Sequence, residues 1–235
     1  MRVALWSGPR NVSTALMYSF RQRPDTAVFD EPLYAHYLKT TGATHPGREE
    51  VLAAQNPCGE EVVREVLLGP TTHPVTFFKS MAHHLVGLDT SFMSRLTHVL
   101  LTREPSAMLA SLCIQIPEPT LEATGLPQQV ALLEAAIAQG VRPIVIVADT
   151  LRASPEATLS ALCERIGIPW SKAMLSWPEG PKPEDGVWAP HWYHRVHTTQ
   201  RFEVPGRPRP LPDRLRPLWR ECQPLFERLQ EHQIC

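Results

Sequence analysis

The stretch VALWSGPRNVSTALMYSF, residues 3–20, decides the fold that we expect for this chain. An apolar run from Val3 to Trp6 leads into a loop with a glycine, and a helical pattern follows from Val12 to Arg21. The apolar run is continuous rather than alternating, which is typical of a strand that is buried on both faces of a sheet. The stretch therefore predicts a strand, a tight turn and a helix at the carboxyl end of that strand.

The same alternation continues along the chain. Further strands are predicted at Thr26 to Phe29, Val75 to Phe78, His98 to Thr102 and Pro143 to Val147. Helices are predicted at Gly59 to Leu68, Ser106 to Ile114, Gln128 to Gln139, Ser154 to Ile166 and Leu215 to Glu231. Such alternation implies right-handed crossovers and a doubly wound fold. We expect one α/β domain over residues 1–235, with a mostly parallel central sheet between two helical layers.

Two helices carry boundary signals of their own. Ser154 is a typical N-cap residue, Pro155 suits the first helical position, and Gly167 is well placed to end that helix. In the C-terminal helix, Pro217 is acceptable in the first turn, whereas Pro224 predicts a kink.

Composition and charge restrict the class of protein. Apolar residues make up 43% of the 235 residues, charged residues make up 20%, and the formal net charge is −1. These values are typical of a globular protein and give no global attraction to nucleic acid or to an acidic membrane, so any anion site must be local. The apolar runs are too short for a membrane span or a signal peptide, which predicts a cytoplasmic protein. The five scattered cysteines predict free thiols.

Proline is unusually frequent, with 24 residues. Many of them fall in residues 177–212, here called the proline-rich segment, together with Trp188, Trp192, Tyr193 and several histidines. A solvated linker rarely carries so many aromatic residues. We therefore expect an ordered, irregular segment that packs on the domain and lines part of a ligand pocket. Zinc binding by its histidines is disfavoured, because no carboxylate or cysteine follows at ligand spacing.

In a doubly wound sheet, ligands bind beyond the carboxyl ends of the strands. The residues expected there are Ser7 to Thr14, Asp30 to Pro32, Lys79 to His84, Arg103, Glu104 and Asp149. In the first loop, SGPRNVST, Gly8 permits a tight turn, and Asn11 or Ser13 can cap the helix. The backbone N–H groups at that helix start, together with Arg10, suit an anion.

The first loop lacks the motif of common nucleoside triphosphatases. Counted from Gly8, GxxxxGK[ST] requires glycine and lysine at the positions of Ser13 and Thr14. The loop is therefore predicted to hold an anion without the usual triphosphate and Mg²⁺ chemistry.

Two later stretches add to this pattern. The stretch HVLLTREPSAMLASL places Arg103 directly after a strand and Ser111 two helical turns later. The stretch ADTLRASPEATLSALCERIGIPW predicts the end of a strand, then a helix, and then the residues that terminate that helix. From Met1 to about Trp170 the chain resembles the sulfotransferase family, whose fold is a variant of the P-loop fold. The resemblance implies 3′-phosphoadenosine 5′-phosphosulfate as donor, a small-molecule acceptor and no metal ion.

The resemblance also implies roles for individual residues. In the family the first loop holds the 5′-phosphosulfate, a role that falls here on Ser7, Gly8, Arg10, Asn11, Ser13 and Thr14. The 3′-phosphate is held by an arginine and a serine, which correspond to Arg103 and Ser111. Many members carry a lysine in the first loop where this chain has Arg10, and arginine cannot donate its proton to a leaving group. The late basic, glycine-rich loop of many members is also absent, and Arg195, His197 or Arg201 is the candidate to replace it.

The base that takes the acceptor proton has several candidates. Glu31 corresponds to a glutamate after the second strand in a subset of the family, and His83 or His84 lies near the histidine of the cytosolic enzymes. Lys79 follows a strand and either stabilises the sulfuryl group or pairs with Asp30 or Glu31. The resemblance therefore implies a sulfotransferase. The alternatives are a phosphotransferase that uses a nucleotide and a protein that binds nucleotide without catalysis.

Overall fold

The computed structural model describes residues 1–206 and 209–234, so Cys235 lies outside the described residues. The strands are Arg2–Ser7 (β1), Thr26–Asp30 (β2), Val75–Met81 (β3), Thr97–Thr102 (β4) and Ile144–Val147 (β5). They form one sheet in the order β2-β3-β1-β4-β5, and every neighbouring pair is parallel. The predicted α/β class and all five predicted strands are confirmed.

Helices connect and cover these strands. The α-helices of the described residues are Ser13–Arg21 (α1), Tyr34–Thr41 (α2), Arg48–Ala54 (α3), Gly59–Val62 (α4), Pro105–Leu112 (α5), Leu126–Ala138 (α6), Ala148–Ala153 (α7), Pro155–Ile166 (α8), Ala189–Trp192 (α9), His194–His197 (α10) and Arg216–Gln230 (α11). Short 3₁₀ turns lie at Ala82–Leu85, Ser91–Arg95, Glu122–Thr124, Lys172–Leu175 and Asp213–Leu215.

Alternate residues of β1 enter two different hydrophobic cores. Val3 and Leu5 pack in the cluster that contains buried residues of α1 and α8. Ala4 and Trp6 pack in the cluster that contains residues of α5, α6 and α11. Both faces of the sheet are therefore covered, which explains the continuous apolar runs and gives the predicted three layers.

Several predicted boundaries are wrong in detail. The helix expected at Gly59 to Leu68 is α-helical only to Val62 and continues as a π-helical turn, Val63–Leu67. Ser154 and Pro155 precede and begin α8 as predicted, and Gly167 ends it with a φ of 75°, but the Ser154 side chain makes no capping hydrogen bond. The C-terminal helix continues through Pro224 as one element.

The sequence patterns missed α2, α3 and α7. The first two lie between β2 and β3, and neither has a side-chain cap at its start. The proline-rich segment contains the short helices α9 and α10, and Trp188, Ala189 and Tyr193 pack in a third cluster with Tyr34 and Leu38 of α2. These residues of the segment thus pack on the domain, as predicted, while residues 207 and 208 lie outside the described chain.

Substitution of Phe77 on β3 tests the packing of the hydrophobic core between the sheet and α1. Its side chain is fully buried and stacks on Phe20 of α1, with ring centroids 4.1 Å apart. We expect Phe77→Ala to lower the free energy of unfolding by about 3–5 kcal/mol, because a cavity replaces the ring. Urea unfolding followed by circular dichroism measures this loss. Phe29→Ala is the matched control, because Phe29 on β2 is 40% exposed, and equal losses in the two variants would contradict the packing described here.

Candidate active site

The carboxyl ends of the strands open into a cavity of about 1810 Å³. Most of the residues predicted to face this crevice line it, including Gly8, Arg10, Asn11, Ser13, Thr14, Glu31, Lys79, His83, His84, Arg103, Glu104, Ser111 and Asp149. Ser7 is an exception, because it is fully buried at the end of β1 and its hydroxyl donates to the Gly8 carbonyl at 2.7 Å. Parallel strands thus bring together side chains that are more than one hundred residues apart.

The first loop has an unusual backbone. Arg10 and Val12 have φ values of 62° and 59°, in the left-handed region that side chains other than glycine rarely adopt. A Cβ at Gly8 would lie 2.7 Å from the Thr124 carbonyl oxygen, so only glycine fits there. Such strain persists only where the surrounding structure fixes it, and it is frequent at functional sites.

Hydrogen bonds from neighbouring elements hold this loop in place. The Asn11 amide donates to the Leu101 carbonyl at 3.0 Å, and Gln129 of α6 donates to the same oxygen at 2.9 Å. Asn11 therefore anchors the loop to β4 and does not cap the helix. The predicted cap by Asn11 or Ser13 is wrong, since α1 begins at Ser13 without a side-chain cap. The first N–H groups of α1 are left without a capping side chain at the cavity wall.

Two arginines and a serine meet at one end of the cavity. The Arg10 guanidinium donates from Nε to Ser111 Oγ at 3.0 Å, and Arg103 donates from Nη1 to the Arg10 carbonyl at 3.0 Å. Burial, and then the charge of Arg103, lowers the pKa of Arg10. Asp149 lies 3.4 Å from Arg103 and 3.1 Å from Arg152. In the part of the chain that the structure describes, Arg10 has no ion pair, so this end carries surplus positive charge.

A buried charge network lies at the ends of β2 and β3. The Lys79 side chain is 2% exposed, and its ammonium donates to Asp30 Oδ1 at 3.0 Å, to the Tyr193 hydroxyl at 2.7 Å and to Glu31 Oε1. A lysine ammonium has three N–H donors, so all three have an acceptor here. The Glu31 Oε2 atom receives none of these hydrogen bonds.

Burial and charge both act on these groups. Burial raises the pKa of Glu31; the charge of Lys79 lowers it, the charge of Asp30 raises it, and the net direction is upward. For Lys79, burial favours the neutral form, but Asp30 and Glu31 outweigh it and raise the pKa of Lys79 above its ordinary value. Lys79 is thus a cation paired with two carboxylates, as one of the sequence alternatives predicted.

The two histidines stand beside this network among aromatic rings. His84 Nε2 lies 3.8 Å from Glu31 Oε2, and the His84 ring stacks on Tyr34 and Tyr37 with centroids 5.0 Å away in each case. Burial lowers the pKa of His84 well below its ordinary value and that of His83 to about 4. Both imidazoles are therefore neutral at pH 7, and His84 Nδ1 is buried without a partner among the described residues.

Sequence reasoning missed the α2 side of the cavity. Tyr34, Tyr37 and His45 line it together with Trp188, Trp192 and Tyr193 of the proline-rich segment. The spacing of Tyr34 and Tyr37, one helical turn apart, was the available signal, but no helix had been predicted there. Of the three candidates to replace the late basic loop, Arg195 and Arg201 line the cavity and His197 does not. The histidines His191 and His194 of the proline-rich segment are not among the lining residues either.

The family model of the sulfotransferase domain matches residues 1–232. The chain belongs to the sulfotransferase family. A sulfotransferase from Alicyclobacillus acidocaldarius, 13% identical, aligns over 99% of this chain and 96% of its own with a TM-score of 0.57. The sulfotransferase domain of the Synechococcus PCC 7002 olefin synthase, 14% identical, aligns over 98% of this chain and 93% of its own with a TM-score of 0.53. These likenesses confirm the fold of this sulfotransferase-family protein.

Two Arabidopsis thaliana proteins are more similar in sequence. They are named branched-chain-amino-acid aminotransferase-like proteins 1 and 2 and are 42% and 40% identical over 229 residues. The match covers 97% of this chain and 41% of each relative, so the chain spans about two fifths of their length.

No helix within residues 1–206 and 209–234 has the length and apolar character that crossing a bilayer requires. The same residues contain no group of three or more potential metal ligands.

The lowered pKa of His83 predicts how the stability of the protein depends on pH. Its pKa is about 4 in the folded protein because of burial, against about 6.5 in an unfolded chain. Below about pH 6.5 the unfolded chain therefore binds a proton that folded His83 does not, and stability falls as the pH decreases. We expect His83→Asn to reduce the loss in unfolding free energy between pH 7 and pH 5 by about 1–2 kcal/mol.

Urea unfolding at the two pH values measures this difference. His73→Asn is the control, because His73 lies in an exposed loop before β3, and it should keep the pH dependence of the unmodified protein. An unchanged pH dependence in His83→Asn would contradict a neutral, half-buried His83.

Proposed function

We propose that this member of the sulfotransferase family transfers the sulfuryl group of 3′-phosphoadenosine 5′-phosphosulfate to a hydroxyl or amine of a small acceptor. One observation carries the proposal: a single cavity holds a cationic end, Arg10 with Arg103 and Ser111, and a buried carboxylate, Glu31, with one unoccupied oxygen. These ends follow β4 and β2, which are three strand positions apart in the sheet. At about 4.8 Å per strand the ends are about 14 Å apart, which leaves room for a nucleotide.

The donor is held at two places. The loop from Gly8 to Thr14 and the uncapped start of α1 offer backbone N–H groups to the 5′-phosphosulfate, with the hydroxyls of Ser13 and Thr14 beside them. Arg103 and Ser111 bind the 3′-phosphate. Because the Arg10 guanidinium lies against Ser111, we place it at the 3′-phosphate as well, while its backbone stays with the loop. In this assignment Arg10 does not replace the loop lysine of other members and acts in binding only.

Glu31 is the base in this proposal. The acceptor oxygen or nitrogen attacks sulfur, the bond from sulfur to the bridging phosphate oxygen breaks, and that oxygen keeps the electron pair. The acceptor proton moves to Glu31 Oε2, and the products are the sulfated acceptor and 3′-phosphoadenosine 5′-phosphate. A raised pKa suits Glu31 to this role, because a base is most effective when its pKa lies near the working pH.

Lys79 holds the base rather than the sulfuryl group. All three of its N–H donors already have acceptors, so a hydrogen bond to sulfate would require it to release Asp30, Glu31 or Tyr193. The acceptor side of the cavity favours an uncharged molecule, since Tyr37, His45 and Trp192 offer rings without formal charge. An anionic acceptor would lose its hydration there without gaining an ion partner.

Arg103→Ala tests the donor site. Because a hydrogen bond to a charged group contributes about 1.5–3 kcal/mol, we expect the affinity for 3′-phosphoadenosine 5′-phosphate to fall about 10- to 100-fold. Isothermal titration without added metal measures it. Arg216→Ala is the control, since Arg216 lies at the start of α11 and pairs with Asp213 on the surface. Absence of binding to the unmodified protein at sub-millimolar ligand would overturn the donor assignment.

Glu31→Gln tests the base. The substitution keeps the shape of the side chain but removes its proton acceptor, so we expect kcat to fall about 10²- to 10⁴-fold while bisphosphate binding stays within about threefold. Sulfated product from a panel of uncharged aromatic hydroxyl and amine compounds is measured by mass spectrometry. His84→Gln distinguishes the second candidate and should lower kcat less than about tenfold. A larger loss in His84→Gln than in Glu31→Gln would make His84 the base.

Two other activities give different results in the same assays. A phosphotransferase would bind ATP with Mg²⁺ in preference to the metal-free bisphosphate, as measured by thermal shift. A protein that binds nucleotide without catalysis would bind the bisphosphate and release none from the donor, with or without the acceptor panel.

A further inference from the structure

The Tyr193 hydroxyl links the proline-rich segment to the charge network at the strand ends. It donates to Asp30 Oδ2 at 2.7 Å and accepts from Lys79 Nζ at 2.7 Å and from Trp188 Nε1 at 3.1 Å. A tyrosine hydroxyl has one donor and two acceptor positions, so every hydrogen-bonding position of Tyr193 is used. Its side chain is 5% exposed.

The proline-rich segment also donates a backbone hydrogen bond directly to the Asp30 carboxylate. The Gly186 N–H donates to Asp30 Oδ2 at 3.3 Å, which adds to the donors from Lys79 and Tyr193. Asp30 does not line the cavity, whereas Glu31 beside it does. The network contains one cation and two carboxylates, so the two carboxylates compete for Lys79. Donors from Gly186 and Tyr193 satisfy Asp30 and leave one N–H of Lys79 for Glu31.

We propose that Tyr193 is a positioning residue that, through Asp30 and Lys79, fixes the orientation and the charge of Glu31. This inference rests on the proposed function for the role of Glu31 as a base, but the effect on the Glu31 carboxyl does not depend on turnover. Without the Tyr193 hydroxyl, Asp30 loses a donor and draws Lys79 away from Glu31. The charged form of Glu31 then loses stabilisation, and its pKa rises.

The groups that face Glu31 come from five elements. They are Asp30 on β2, Lys79 on β3, His84 in the turn after β3, Tyr34 on α2 and Tyr193 at the junction of α9 and α10. His84 is neutral over the working range, and the pKa of each tyrosine is raised, mainly by burial. Asp30 and Lys79 are therefore the charged groups through which Tyr193 acts.

Two variants should shift the titration of Glu31 in opposite directions. Tyr193→Phe keeps the ring and removes the hydroxyl, so the midpoint moves to higher pH. Asp30→Asn removes the competing negative charge, so the midpoint moves to lower pH. Tyr18→Phe is the matched control, because the hydroxyl of this buried tyrosine bonds Asp185 of the same segment at 2.7 Å without contacting Lys79 or Glu31.

The readout is the carboxyl carbon signal of ¹³C-labelled glutamate, followed by NMR against pH and assigned with Glu31→Gln. It reports on Glu31 whether or not the protein turns over, so a failure of the proposed function remains distinguishable. Where turnover occurs, kcat of Tyr193→Phe should fall about tenfold at the acid end and recover at higher pH, with the donor KM unchanged within about twofold. A merely structural role would lower kcat equally at all pH values.

The proposal is overturned if Tyr193→Phe and Tyr18→Phe titrate alike, or if Asp30→Asn shifts the Glu31 midpoint upward. If Tyr193→Phe does not fold, as judged by circular dichroism, the downward shift in Asp30→Asn remains the deciding measurement. Its absence then overturns the proposal as well.

Discussion

The ammonium group of Lys79 lies in the protein interior beside two carboxylates, and the burial of these charges constrains the structure around them. A charge in the interior costs several kcal/mol unless partners compensate for it. The sheet register supplies the first partner, because Asp30 of β2 lies opposite Lys79 of β3. The turn after β2 supplies Glu31, whose φ of 43° places it beside the same ammonium, and its N–H donates to the Lys79 carbonyl at 2.7 Å. Tyr193 of the proline-rich segment completes the hydrogen bonds.

Charge is distributed unevenly along the cavity although the net charge of the chain is only −1. Arg10 of the loop after β1 and Arg103 after β4 lie at one end, where partial burial and the charge of Arg103 lower the pKa of Arg10. The part of the cavity lined by α2 and by the turn after β3 instead presents phenol rings and neutral imidazoles. One end is thus suited to an anionic ligand and the other to an uncharged one, as a transfer between two different substrates would require.

The sequence predicted which residues line the cavity, because parallel strands place their carboxyl ends at one edge. Arg10, Glu31, Lys79 and Arg103 all line the cavity as that rule requires. It predicted less well what each side chain contacts. Asn11 carries the residue type of a helix cap, yet its amide bonds the carbonyl of Leu101, ninety residues later in the chain. Local preferences cannot reveal a competing partner that only the fold brings near.

The five strands, both helical layers and the crevice follow from the apolar runs and from the handedness of crossovers, which are local or general properties of the chain. The assignment of Lys79 could not follow from them. Sequence alone left open whether it met sulfate or a carboxylate, and the tertiary structure places three acceptors around it. One of these, Tyr193, is separated from Lys79 by more than one hundred residues. Only the packing of the proline-rich segment against α2 brings its hydroxyl to the ammonium, because no local pattern encodes such a distant hydrogen bond.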